Sequence, residues 1–166
     1  MASPRSGKPL RALRTYGRGR AVRHPDFTYA ADELIHLTLA ANAGSPFVRA
    51  DLARVICANT EQYCTQFIYR LYGYCLMPDH LHVLLSPNNS GIPLARWLNS
   101  FKSFTTHAGW KLGESANLWQ PSGHDHVCRS GETAEVVLRY IVENPVRAGL
   151  VDDWRAWPWT RVFVDI

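Results

Sequence analysis

No apolar run in this 166-residue chain approaches the roughly 18 residues that a membrane-spanning helix requires, so a helical membrane protein is excluded. No C-x-x-C pair exists among its four cysteines, Cys57, Cys64, Cys75 and Cys128. Cys57 and Cys64 stand seven apart in a segment that reads as a helix, about 10 Å along its axis and too far to bridge. Reduced thiols and a cytoplasmic protein are therefore expected. Acidic residues are absent from the first 25 positions, and neither internal repeats nor low-complexity stretches follow that segment.

What is present is one domain's worth of chain with 46% hydrophobic and 19% charged residues, a composition that excludes wholesale disorder. The net charge of +4 conceals an asymmetry. Residues 1–25 hold seven basic residues (Arg5, Lys8, Arg11, Arg14, Arg18, Arg20 and Arg23) against no acid, a net +7, whereas residues 26–166 hold the other 11 against all 14 acids, a net −3. The expected organisation is a disordered basic arm over residues 1–25 and a single domain over 26–166. The arm lacks the apolar core of a secretory signal, and Pro4, Pro9, Gly17 and Gly19 would interrupt the amphipathic helix of a transit peptide. Attraction to a phosphate backbone fits it, as does a solubilising role.

Periodicity predicts the elements. Glu33 to Leu39 alternates as a strand, and Val48, Leu52, Val55, Ile56 and Asn59 follow helical spacing up to about Gln66. Phe67 to Leu76 and His80 to Leu85, joined by Met77-Pro78-Asp79, read as a hairpin. Leu94, Trp97, Leu98, Phe101 and Phe104 mark a second helix, Leu118 to Arg129 a further strand with irregular ends, and Thr133 to Asn144 a last helix that ends or kinks at Pro145. The order β-α-β-β-α-β-α predicts an α+β fold, a ferredoxin-like split βαβ arrangement. Its antiparallel β-sheet has helices packed on it and its first and third strands at the centre.

The densest chemical constellation is Met77-Pro78-Asp79-His80-Leu81-His82-Val83-Leu84-Leu85. Alternation along a strand sends His80 and His82 to one face, where two imidazoles can grip a cation or simply satisfy local hydrogen bonds. An otherwise apolar strand rarely places polar groups at two neighbouring same-face positions without a purpose, because each needs a partner when buried. Tyr140 and Asn144 stand at i and i+4 on the last helix, so phenol and carboxamide share a face; the plainer alternative is a packed tyrosine and a helix-capping asparagine. A second H-x-H, His124-Asp125-His126, lies in a turn-rich stretch and reads better as support near a site than as the site. His36 on the first strand either lies beneath such a site or simply packs, and His107 carries no assigned role.

Three blocks in this order carry a family resemblance: Tyr74-Cys75-Leu76-Met77-Pro78-Asp79-His80-Leu81-His82, then Leu118-Trp119-Gln120-Pro121, then Arg139-Tyr140-Ile141-Val142-Glu143-Asn144-Pro145-Val146-Arg147-Ala148-Gly149-Leu150-Val151. Over roughly residues 29–160 the chain resembles the REP-associated tyrosine transposases, a branch of the single-tyrosine HUH transposases (histidine, hydrophobic residue, histidine). The resemblance implies that His80 and His82 bind a divalent cation, Mg2+ or Mn2+, with Asn144 as a third metal-binding side chain and Tyr140 as the nucleophile. It also places an Asp-His pair near the site, here Asp125 and His126. Trp157-Pro158-Trp159 resembles the family's ending. The basic arm matches nothing diagnostic, and with the chain ending at Ile166, contacts made by a longer tail in relatives are not expected.

The implied chemistry is consistent with the residue types. A phenol of ordinary pKa, about 10, is ionised to only about one part in a thousand at neutral pH, so attack on phosphorus needs electrophilic help. A cation supplies it by polarising a phosphate oxygen. The product would be a 5′-phosphotyrosine and a free 3′-hydroxyl, and because the bond energy is retained, a second 3′-hydroxyl could rejoin the strand without ATP. An asparagine ligand favours a hard cation, although two imidazoles would also accept zinc. Lys102, Arg129, Arg139 and Arg147 flank the motif segments as candidate phosphate contacts. The expected activity is a metal-dependent single-stranded DNA nickase and strand transferase acting at DNA hairpins, with a monomer favoured over a homodimer. The competing readings are a catalytically inactive nucleic-acid-binding module of the same fold and a metal-dependent hydrolase that forms no covalent adduct.

Overall fold

The computed structural model describes residues 29–30, 32–121, 124–128 and 132–166. The expected basic arm and Arg129 lie outside them. Strand β1 (Ile35–Ala40) leads through a short 3-10 turn at Pro46–Val48 into helix α1 (Ala50–Gln66), followed by the hairpin β2 (Arg70–Leu76) and β3 (His80–Ser86). Helix α2 (Leu94–Lys111), strand β4 (His124–Val127), helix α3 (Ala134–Val142), the single turn α4 (Asn144–Arg147), a second 3-10 turn at Trp154–Ala156 and strand β5 (Thr160–Val162) complete the chain. The sheet order is β4-β1-β3-β2-β5, with every neighbouring pair antiparallel. This is the predicted α+β arrangement, with β1 and β3 side by side in the interior of the sheet. No helix among the described residues is long and apolar enough to cross a membrane.

Strand alternation divides the protein into two cores. Ile35, Leu37 and Leu39 of β1 and Leu81, Val83 and Leu85 of β3 face α1 and α2, packing with Ile56, Trp97, Phe101 and Trp119. The intervening positions face α3 and the C-terminal segment, where Cys75, Met77, Leu84, Leu138 and Ile141 form a smaller cluster sealed by Trp157, Val162 and Ile166. His36, Thr38, His80 and His82 share the second face.

Two local features depart from the sequence expectation, the strand before α3 and the last strand, and a third, the break in the last helix, follows it. The predicted strand over 118–129 is split. Trp119 makes an isolated bridge to Ala41, Pro121 follows, and regular pairing resumes only at His124, as expected where proline removes a ladder donor. The last helix ends at Val142 and restarts at Asn144, because Pro145 has no N–H for the Ile141 carbonyl. Strand β5 has no counterpart in the periodicity analysis: three residues are too few to show alternation. It pairs Gly73 with Val162, Tyr74 with Arg161 and Cys75 with Thr160.

Gly73 admits both of its neighbours. A Cβ there would lie 2.7 Å from Leu138 Cδ2 and 2.8 Å from the Arg161 carbonyl oxygen, and the ladder backbone cannot yield as a flexible side chain would. Gly73→Ala is expected to destabilise the fold by about 1–3 kcal/mol, measured as a lower urea midpoint with unchanged m-value. A midpoint equal to that of the parent would show that α3 and β5 can shift at no cost.

Candidate active site

Strand β3 delivers His80 and His82 to the face beneath α3, with their Nε2 atoms 3.1 Å apart. Each imidazole is held from behind. His80 Nδ1–H donates to Asp79 Oδ1 at 2.6 Å. His82 Nδ1 faces both His36 Nε2 at 3.0 Å and Thr38 Oγ1 at 3.1 Å. This contact follows from register: Thr38 stands opposite His82 across the β1–β3 ladder, and His36 lies two residues back on the same face. His82 is only 7% exposed, so the satisfied Nδ1 is what makes its burial tolerable.

Tyr140 projects from α3 and is 38% exposed. Its ring meets His36 edge-on at a centroid distance of 6.4 Å, and the His36 ring lies 5.1 Å from that of His82. The Arg147 guanidinium covers the Tyr140 ring at 4.4 Å and donates from Nη2 to the Tyr140 carbonyl at 2.6 Å. Asn144 Nδ2 donates to the carbonyls of Ile141 at 2.9 Å and Tyr140 at 3.2 Å. The first of these replaces the bond that the N–H of residue 145 would make in a continuous helix. Asn144 is therefore a helix-capping side chain whose donor is committed, leaving its oxygen as the atom that could face a cation.

The two Nε2 atoms are spaced to fit a divalent cation, and imidazole nitrogen accepts zinc as well as harder ions. Two nitrogens about 2.1 Å from one ion lie about 3.0 Å apart at the octahedral angle and about 3.4 Å apart at the tetrahedral one. The observed 3.1 Å is nearer the former. Among the described residues there is no group of three or more His, Cys, Asp or Glu poised around an ion, so remaining ligands would have to come from Asn144, water or a phosphate oxygen. Cysteine nucleophiles are disfavoured, since burial pushes the Cys57 and Cys64 thiols up to about 12 and those of Cys75 and Cys128 to about 11.

The remaining sequence candidates distribute unevenly. His126 stands opposite His36 across the β1–β4 ladder, with its Nε2 3.3 Å from Glu132 Oε2. The backbone register sets His124 opposite Thr38, in step with the histidine row, and Asp125 opposite Leu37, one place out of step with it. Lys102 Nζ donates to the carbonyls of Gln120 at 2.9 Å and Pro121 at 3.4 Å, and burial lowers its pKa; this lysine secures a loop. Arg139 is exposed beside Glu135 at 3.5 Å. Arg147 alone of the described basic candidates reaches Tyr140. Thr38 and Asp79 are the site residues that sequence reasoning passed over, and His36, left open between a place beneath the site and simple packing, lies behind His82; an H-x-T alternation on β1 and an acid directly preceding His80 were the available signals.

Burial pushes the His36 imidazole down from 6.5 to about 4, with nearby His126 lowering it further and Glu132 opposing. Burial, then the charges of His36, His80 and Arg147, hold His82 well below the ordinary range. Both rings are thus neutral and present lone pairs at neutral pH. The unfolded chain binds protons that the folded site refuses, so this stability is fully present above pH 6.5 and is lost as pH falls towards about 4. His36 alone is expected to account for about 3 kcal/mol of that loss over the whole window. Urea unfolding of the parent and of His36→Gln across this window measures it, and identical pH slopes would contradict the assignment.

A family model described as "Transposase IS200 like" matches residues 31–144. A REP-associated tyrosine transposase of Escherichia coli is 27% identical over 99 residues, covering 59% of this chain and 57% of that protein. A putative REP-associated tyrosine transposase of Haemophilus influenzae is 26% identical over 118 residues, covering 64% and 66%. The matched region thus spans less than two thirds of either relative's length. Among solved structures, that of a REP-associated tyrosine transposase bound to a REP hairpin superposes with a TM-score of 0.63 at 18% identity, covering 81% of this chain and 79% of that one. A putative transposase from Deinococcus radiodurans superposes at 0.50 with 20% identity, covering 75% and 94%. At these identities the structural likeness concerns the fold, and with the family match over most of the described domain, the chain belongs to the IS200-like transposases, alongside REP-associated tyrosine transposases.

Proposed function

We propose that this protein is a metal-dependent single-stranded DNA endonuclease and strand transferase that cleaves beside DNA hairpins through a covalent 5′-phosphotyrosine. The observation that carries this reading is the placement of an exposed tyrosine, Tyr140, on the same sheet face as the paired Nε2 atoms of His80 and His82, with Arg147 over its ring. A binding module has no need of a nucleophile beside a two-nitrogen cation cradle. The DNA partner is inferred from the relative whose structure is bound to a REP hairpin, and the cytoplasm is the expected location.

His80, His82 and the Asn144 oxygen would hold Mg2+ or Mn2+, which when bound supplies Lewis acidity at a non-bridging oxygen of the scissile phosphate. Asp79 and the His36–Thr38 pair keep the two imidazoles aimed. The Tyr140 hydroxyl attacks phosphorus, its proton passes to solvent, an O–P bond forms to the tyrosine, and the bond to the 3′-oxygen breaks, that oxygen taking a proton from solvent to become a 3′-hydroxyl. Arg147, paired with Glu143 at 3.6 Å, keeps its guanidinium over the Tyr140 ring, where it would favour the developing negative charge. Strand transfer reverses this step with a different 3′-hydroxyl. Tyr140 lies against its own chain's His36, which favours a working monomer over a homodimer.

Incubation with labelled hairpin-bearing single-stranded DNA and Mn2+ or Mg2+, resolved on a denaturing gel, tests the reading. The parent is expected to form a protein-linked band only with the metal. Tyr140→Phe should abolish the band, and His80→Ala should reduce it by at least about a hundredfold. Cleavage without an adduct, surviving in Tyr140→Phe, would replace this reading with metal-dependent hydrolysis; binding without cleavage would leave a nucleic-acid-binding module.

A further inference from the structure

The two cation-facing imidazoles are backed by different chemistry. Asp79 behind His80 is a carboxylate and, when ionised, accepts only, so the His80 proton stays on Nδ1 and its Nε2 keeps a lone pair. Behind His82 stand a hydroxyl and an imidazole, Thr38 Oγ1 at 3.1 Å and His36 Nε2 at 3.0 Å. Each of these can donate or accept.

That difference has a use if His82 must exist in two forms. With no ion between them, two lone pairs 3.1 Å apart repel, so one proton belongs in the gap between the Nε2 atoms. His80 keeps its proton on Nδ1, donated in the hydrogen bond to Asp79, so the gap proton is carried by His82, whose Nδ1 must then accept. With a cation in the gap both Nε2 atoms need lone pairs, the His82 proton moves to Nδ1, and Nδ1 must donate. An accept-only partner behind His82 would forbid the first state, and a donate-only partner such as an ammonium would forbid the second.

We propose that His36, with Thr38, is a positioning residue that lets His82 exchange tautomers when a divalent cation enters between His80 and His82. On binding, the His82 Nε2 proton leaves to solvent. His36 passes its Nε2 proton along the hydrogen bond to His82 Nδ1 and takes one from solvent at its own Nδ1, so net proton release is zero. Where Thr38 serves instead, the same net change is made as its hydroxyl turns from donor to acceptor. The His36 ring also meets Tyr140 edge-on, so the side chain that answers the ligand's tautomer also borders the nucleophile. This inference rests on the metal-dependent reading above.

Long-range 1H–15N correlation spectra of the 15N-histidine-labelled full chain, with and without MgCl2 and with the His82 signals assigned through His82→Gln, read the tautomer directly. The expected result is an Nε2–H form that becomes Nδ1–H on adding Mg2+. Titration with Mn2+, followed through the electron paramagnetic resonance signal of the free ion, should show affinity reduced about tenfold to a hundredfold in His36→Phe. His36→Gln, which keeps a donor and an acceptor, should restore it to within a few-fold. A parent that binds Mn2+ while His82 keeps one tautomer, or a folded His36→Phe with unchanged Mn2+ affinity, overturns this inference and leaves the parent reading standing. A parent that takes up neither Mg2+ nor Mn2+ overturns both.

Discussion

The period of two along β3 is the constraint from which the rest of this molecule follows. Leu81, Val83 and Leu85 enter the core beneath α1 and α2, and that burial leaves His80, His82 and Leu84 no choice but the opposite face. A slip of one residue would bury the histidines in the apolar core and turn Leu81, Val83 and Leu85 towards α3. The apolar half of the strand therefore enforces the polar half: the hydrophobic core is what aims the imidazoles.

Polar groups on that face are arranged as a closed set. Asp79, His80, His82, Thr38 and His36 form a continuous run of close contacts from the hairpin turn to the middle of β1. Desolvation holds the deepest members, His82 and His36, neutral. Neutral rings with lone pairs are suited to an ion, and their mutual support removes the penalty that a lone buried imidazole would carry.

The nucleophile side is assembled by different means. Pro145 ends α3 within a turn of Tyr140; the Ile141 carbonyl it strands is taken up by Asn144 Nδ2, and the Tyr140 carbonyl accepts from Asn144 Nδ2 and Arg147 Nη2. The same break that looks like a structural defect thus brings an amide and a guanidinium back over the last turn of the tyrosine helix. On the sheet beneath, Gly73 permits the close approach of Leu138 and of β5. Trp157 Nε1 donates to the Leu76 carbonyl at 2.8 Å, pinning the C-terminal segment beside the hairpin turn that carries Asp79 and His80.

Alternation and helical spacing, which are local properties, determined the element order, the α+β class, the shared face of His80 and His82 and the interruption at Pro145. The ordered motif blocks pointed to the family. Contacts that join residues far apart in the chain were settled only by the tertiary structure. Register between β1 and β3 places His36 and Thr38 behind His82, 46 and 44 residues away, and no periodicity in one segment can specify its offset against another. Strand β5 was invisible because three residues hold too little pattern, and Lys102 and Arg139 look like Arg147 in sequence until their surroundings separate them. Sequence decided which side chains leave each strand and helix on a common face; packing of α3 on the sheet decided which faces meet, because that depends on where a backbone can come close, as it does at Gly73.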